Sequence, residues 1–160
     1  MGKGSFITPS PLVVPGLGYW ADGARTPAGA VATWSDFSGR GTVVTQVTGG
    51  SRPMSGTRTI NGINALDFDG TDDFFAVPGI IPDLTSGGYT VFTVAKSDNP
   101  QTTSKYLFSG TVERLYQNHG ASLNANWGSS FGAGTPTDIS SNIPCPTASI
   151  LCSVYDGVTD

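Results

Sequence analysis

Between Tyr89 and Lys96 the chain alternates strictly, with Tyr89, Val91, Thr93 and Ala95 on one side and Thr90, Phe92, Val94 and Lys96 on the other. A period of two is the signature of a β-strand. Bulk on both sides predicts a central strand in a two-layer packing. Shorter alternating or apolar runs predict further strands over 32–34, 42–47, 63–68, 74–77, 106–109, 114–117, 122–126 and 150–155. No long window places apolar residues at i, i+3, i+4 and i+7, so no amphipathic helix is expected. Between two of the predicted strands lies Asp69-Gly70-Thr71-Asp72-Asp73. Glycine there supplies a positive φ, and the aspartates bond to backbone amides a residue or two on, which makes a tight turn. Residues 128–142 are rich in Gly, Ser and Thr and poor in large apolar groups, which predicts a long exposed loop or irregular edge.

The composition agrees with short strands and tight turns. The 160 residues include 22 glycines and 11 prolines, and only 12% are charged. Three tryptophans, five tyrosines and eight phenylalanines supply core material and argue against disorder. One domain of this length buries a sizeable core. Pro9, Pro11 and Pro15, with Gly2, Gly4 and Gly16, oppose regular structure over residues 1–16. That stretch reads as an extended N-terminal arm before a single sandwich domain over 17–160. The net charge is −4, and Arg25, Arg40, Arg52, Arg58 and Arg114 are scattered, so no basic surface is present to grip nucleic acid. No apolar run approaches a membrane span. The N-terminus lacks the apolar segment of a signal peptide.

Several segments together resemble the laminin-G-like, concanavalin A-type jelly-roll family. Asn61-Gly62, Ala65-Leu66 and Phe68-Asp69-Gly70-Thr71-Asp72-Asp73-Phe74 are similar to its "NG-x-x-AL-x-FDGTDD-aromatic" segment. Trp34, Asp36, Ser38-Gly39 and Gly41 resemble its "W-x-D-x-SG-x-G" opening, with Gln46 and Arg52-Pro53 at similar spacing. Residues 88–96 look like its long core strand, and Ser149 to Gly157 like a later strand and turn. The resemblance implies an all-β, two-layer antiparallel jelly-roll sandwich. Relatives continue with more strands after the Tyr155-Asp156-Gly157 turn, whereas this chain stops at Asp160. Either the chain is a fragment, or its last strands were lost, or a neighbouring chain supplies the missing pairing; a sandwich left open there would expose unpaired backbone and invite association.

Candidate chemistry is sparse. Tyr116, Asn118, Asn124, Asn126, Trp127 and Phe131 offer the aromatic and amide inventory of a carbohydrate platform, or else ordinary core aromatics. Asp69, Asp72 and Asp73, beside Asp67, supply hard oxygen ligands of the kind calcium takes, and some relatives bind calcium; turn formation explains the same residues without an ion. Cys145 and Cys152 read as two small buried hydrophobes, as one buried and one in a loop, or as a disulfide closing a short loop. Glu113 is the one glutamate and His119 the one histidine, so neither a glycosidase carboxylate pair nor a nucleophile–base pair is apparent. The expectation is a protein that is not an enzyme. Modules with this opening resemble those of phage virion proteins and bacterial surface proteins. The resemblance implies a virion component on the particle surface: a head-decoration, head-fibre or tail-associated subunit. It would meet other virion subunits, form a homo-oligomer and touch host-surface glycans weakly through many copies. A freestanding carbohydrate-binding module, assisted by calcium, is the alternative, and a purely structural subunit without a ligand is a third reading.

Overall fold

The computed structural model describes residues 10–76, 88–98, 105–109, 113–117, 126–131, 137–144 and 147–155. Among them there is no α-helix; the regular elements are strands and three short 3-10 turns, at Pro11–Val13, Gly23–Arg25 and Gly49–Ser51. Every strand pairing among the described residues is antiparallel. The protein is all-β. Its internal contacts group it into two compact units, Met1–Pro82 and Asp83–Asp160.

In the first unit, β1 (Gly29–Ala30), β4 (Met54–Ile60) and β5 (Ile63–Asp67) form one sheet in the order β1-β4-β5. A two-stranded ladder joins β2 (Thr33–Ser35) to β3 (Val43–Thr45). The β4–β5 hairpin is closed by Asn61 and Gly62, with Ile60 opposite Ile63. Both turn residues have positive φ, 52° and 78°. That is a two-residue turn of the primed kind, whose twist matches that of the flanking strands. The register slips between Ser55 and Arg58, where Gly56 adopts φ 84° and its N–H donates to Asn64 Oδ1 at 2.9 Å.

Apolar packing and one buried amide hold this unit. Val31, Val44 and Pro53 are buried. Trp34 stacks on Phe75 with ring centroids 5.9 Å apart, and Phe68 meets Phe75 edge-on at 6.1 Å. Gln46 is buried too, with both ends of its amide bonded: Nε2 donates to the Phe74 carbonyl at 3.0 Å and Oε1 accepts from Thr48 N–H at 3.0 Å. The Arg52 guanidinium donates to the carbonyls of Gln46 and Val47. The expected strand over 74–77 is present as a bridge between Ala76 and Thr45; Val77 lies outside the described residues.

In the second unit, β7 (Lys105–Ser109), β8 (Glu113–Gln117), β9 (Asn126–Phe131) and β10 (Thr137–Pro144) form a four-stranded meander. β6 (Tyr89–Ala95) and β11 (Ser149–Tyr155) pair over seven successive residues. Buried Ala95, Leu151 and Trp127 form one cluster, so the β6–β11 ribbon meets β9 there. Of the two readings of 128–142, a long exposed loop or an irregular edge, the described residues fit the second: β9 and β10 pair through Phe131–Thr137, Ser130–Asp138 and Ser129–Ile139, and β10 is an edge strand of the described sheet with a register shift between Ser140 and Pro144. Small polar residues lack side-chain bulk but carry the same backbone donors and acceptors, so pairing with a neighbour overrides their weak strand propensity. Of the strand expected over 122–126, Asn126 opens β9 and the rest lies outside the described residues. A correction concerns β6, expected to be central. Among the described residues its partner is β11 alone, and Thr90, Phe92 and Val94 are exposed while Val91, Thr93 and Ala95 are half-buried or buried.

Candidate functional site

The residues expected to form a carbohydrate platform fall partly on adjacent strands. Trp127 lies opposite Gln117 on β8, Tyr116 opposite Gly128 and Phe131 opposite Glu113. Asn126 is opposite Pro144 on β10. Asn118, Asn124 and His119 lie outside the described residues, as does Cys145. The register thus brings Tyr116, Asn126, Trp127 and Phe131 into one region of sheet. Trp127, however, is only 2% exposed and belongs to the cluster with Ala95 and Leu151. A stacking platform needs an open ring face, so Trp127 serves the core and is removed from the candidate platform.

The acidic turn brings its three aspartates together. A carboxylate oxygen from each of Asp69, Asp72 and Asp73 lies within 4.8 Å of the others. One oxygen of each is engaged in hydrogen bonds. Asp69 Oδ1 accepts from the N–H groups of Thr71 at 2.7 Å, Asp72 at 3.2 Å and Asp73 at 3.4 Å. Asp73 Oδ2 accepts from Asp69 N–H at 2.9 Å. Ser51 Oγ donates to Asp72 Oδ2 at 2.8 Å, which ties the turn to the 3-10 turn before β4. Asp67 is drawn away toward Thr57 and Arg58 at 3.1 and 3.4 Å. Calcium takes six to eight oxygens, and this turn gathers three carboxylates that its own amides and a hydroxyl already engage. The arrangement is that of a self-capped turn with three clustered carboxylates. Cys152, for its part, is a free, exposed thiol, so the disulfide alternative is not realised.

A second polar centre sits in the loop between β2 and β3. Asp36 Oδ1 accepts from Trp20 N–H at 3.0 Å and Ser38 N–H at 2.7 Å; Oδ2 accepts from Ser38 Oγ at 2.7 Å and Thr42 N–H at 3.3 Å. Partial burial alone would raise its pKa, but these four donors outweigh that and hold the carboxyl below its ordinary value. Nearby Tyr19 is pushed up to about 12, first by burial and then by the Asp36 charge. The Arg25 guanidinium lies 4.6 Å from the Trp20 ring centroid and 4.9 Å from that of Phe37, and pairs with Asp22 at 3.3 Å. These cation–π contacts pin the chain before β1 to the β2–β3 loop. Sequence reasoning counted Arg25 as one of several scattered arginines. Its one local clue is that it lies five residues from an aromatic, and Phe37 joins it only through the fold. Beside it, Arg25, Pro27, Thr33, Trp34 and Phe37 line a cleft of about 30 Å³. That volume takes a water or two and is far below what a sugar ring needs.

The motif residues are therefore engaged in framework: Trp34 in an aromatic stack, Asp36 and Asp69 as loop hubs, Gln46 and Arg52 as backbone clamps. Comparison with protein-family models, with curated proteins and with solved structures finds no match. Among the described residues no helix is long and apolar enough to cross a membrane.

Proposed function

We propose that this chain is a non-enzymatic structural subunit of a phage particle, a head-decoration, head-fibre or tail-associated protein. On this reading residues 17–160 make a concanavalin A-like jelly-roll, and residues 1–16 are an arm that docks on other virion subunits. The observation that carries the reading is the position of the apolar residues of the arm. Ser10 caps a 3-10 turn at Pro11–Val13, and Leu12, Val13 and Val14 stand exposed on it. Three consecutive exposed aliphatic residues beside two prolines suit a segment that buries itself on a neighbour. The ordered motif set and the antiparallel strands support the sandwich. Weak contact with host-surface glycans, multiplied over many copies, completes the reading.

Mass spectrometry of gradient-purified particles encoded by the same genome tests it. The chain is expected at a stoichiometric copy number, and lost from particles when Leu12 and Val13 are both replaced by Ser. Particles without it overturn the reading. The alternative, a freestanding carbohydrate-binding module assisted by calcium, is favoured by the proximity of the three carboxylates in the acidic turn. Its mark would be saturable glycan binding by the isolated chain that chelator abolishes.

A further inference from the structure

We propose that the outward side of the β6–β11 ribbon is a self-association surface, on which a second copy of this chain packs face to face. The ribbon's register sets Thr90 opposite Val154, Phe92 opposite Cys152 and Val94 opposite Ile150. All six are exposed. The alternate residues, Val91, Thr93 and Ala95 with Leu151 and Ser153, are half-buried or buried, and two of them close on Trp127. One side of the ribbon is thus core, and the other is apolar and open.

The extent of that open side is substantial. Phe92 is 71% exposed, Val94 59%, Ile150 75% and Val154 64%. With a fully exposed Phe at about 200 Å² and the aliphatic side chains smaller, these four present on the order of 400 Å² of apolar surface. That is as large as the largest patch on an ordinary monomer, and such patches mark interaction sites.

Three features favour a copy of the same chain as the occupant. The six side chains carry no charge, so packing like on like buries no ion. The ribbon is balanced about its central Phe92–Cys152 pair, with β-branched residues in the pairs on both sides. A two-fold axis lying between the faces and passing over that pair makes the surface complementary to itself. Two such faces, with their rims, remove about 1,000 Å² from water, the lower limit for a specific interface. At the usual spacing of about 10 Å between packed sheets, the two Cys152 side chains come within reach of a short cross-linker. The inference deepens the assembly reading and rests on it for its biological setting alone. Loss of self-association would overturn this surface, whereas absence from particles would overturn that reading.

Sedimentation equilibrium of the full chain under reducing conditions, from about 1 to 500 μM, tests the surface. The expected result is a monomer–dimer equilibrium whose dissociation constant rises about 100-fold in Phe92→Lys and in Ile150→Lys, with circular dichroism unchanged. Ile150→Thr, which keeps a β-branched residue in the strand, should raise it less. In a Cys145→Ser background a short bismaleimide should join Cys152 to Cys152 in the dimer, and Phe92→Lys should abolish the product. A chain monomeric at every concentration overturns the proposal. So does an oligomer indifferent to both lysines. So does a Cys152 that a monofunctional maleimide fails to reach in the monomer, since the chain would then cover the face itself.

Discussion

Replacing Asp36 should loosen the β2–β3 loop more than any other single change to a half-buried side chain. The carboxylate accepts four hydrogen bonds from Trp20, Ser38 and Thr42, three of them from backbone N–H groups. A bond to a charged acceptor contributes about 1.5–3 kcal/mol, and a donor left without a partner costs about 1–3 kcal/mol. The four are not additive, and water reaches part of the site, so the nominal total must be reduced. The expected loss in Asp36→Ala is about 2–4 kcal/mol, and in Asp36→Asn, which keeps one acceptor, about half of that. Urea unfolding followed by tryptophan fluorescence measures both, because Trp20 is one of the tethered residues. The pH dependence gives an independent check. The folded-state pKa lies below the ordinary 3.8. The contribution of the charge is therefore full above the unfolded value and disappears as pH falls through the folded one. The stability gap between wild type and Asp36→Asn should be constant at neutral pH and narrow below about pH 4. A gap under 0.5 kcal/mol at pH 7, or one indifferent to acid, would refute the hub role.

Four further outcomes are expected. Tyr19, raised to about 12 in the folded state from 10.0, makes the protein lose stability between those values, because the unfolded chain releases its proton first; Tyr19→Phe should flatten that alkaline limb in a pH series of thermal melts. Gly62 has φ 78° and open space around a would-be Cβ, so Gly62→Ala should cost only the backbone term of about 1–2 kcal/mol. Gly56→Ala should cost more, since its Cβ would lie 2.8 Å from that of Ala28 as well as needing φ 84°; equal midpoints in urea would contradict this ordering. Trp127→Ala should remove about 3–5 kcal/mol as a core deletion, read by calorimetry, whereas a surface platform residue would leave the melting temperature nearly unchanged. Millimolar calcium should shift the melting temperature by less than about 1 °C if the acidic turn caps itself, and a rise of several degrees would establish a bound ion.

Much of the strand content was legible because alternation survives in the sequence wherever one side of a strand is buried. Tyr89–Ala95, Ile63–Asp67 and Ser149–Tyr155 lie within a residue or two of their expected bounds. What escaped is instructive. Met54–Ile60 reads Ser-Gly-Thr-Arg-Thr between its ends and carries little apolar signal, yet Asn61-Gly62 directly after it is a strong two-residue hairpin signal and implied a strand on both sides. Thr137–Pro144 escaped because its small polar residues carry little apolar alternation, and its backbone pairs with β9. The acidic turn was legible residue by residue, since an aspartate followed by Gly-Thr-Asp-Asp bonds its own backbone whatever the rest of the chain does.

The candidate site was less legible because burial is a tertiary property. Trp127 and Phe92 illustrate the difficulty from opposite sides. Trp127 sits among asparagine, glycine and serine, the company of a surface platform, and is buried because Ala95 and Leu151 arrive from distant parts of the chain. Phe92 sits in the most apolar strand, the company of a core, and is exposed. Alternation assigns residues to sides of a strand and is silent on what lies over each side. A strand with bulk on both sides has two physical solutions, the centre of a sandwich or the face of a ribbon that another surface must cover. Both need the same side chains. The difference lies in the second layer: on one side of β6 and β11 Trp127 packs on Ala95 and Leu151, and on the other Phe92, Val94 and Ile150 are exposed. That open side makes association a stronger expectation for this chain than the glycan platform its composition first suggests.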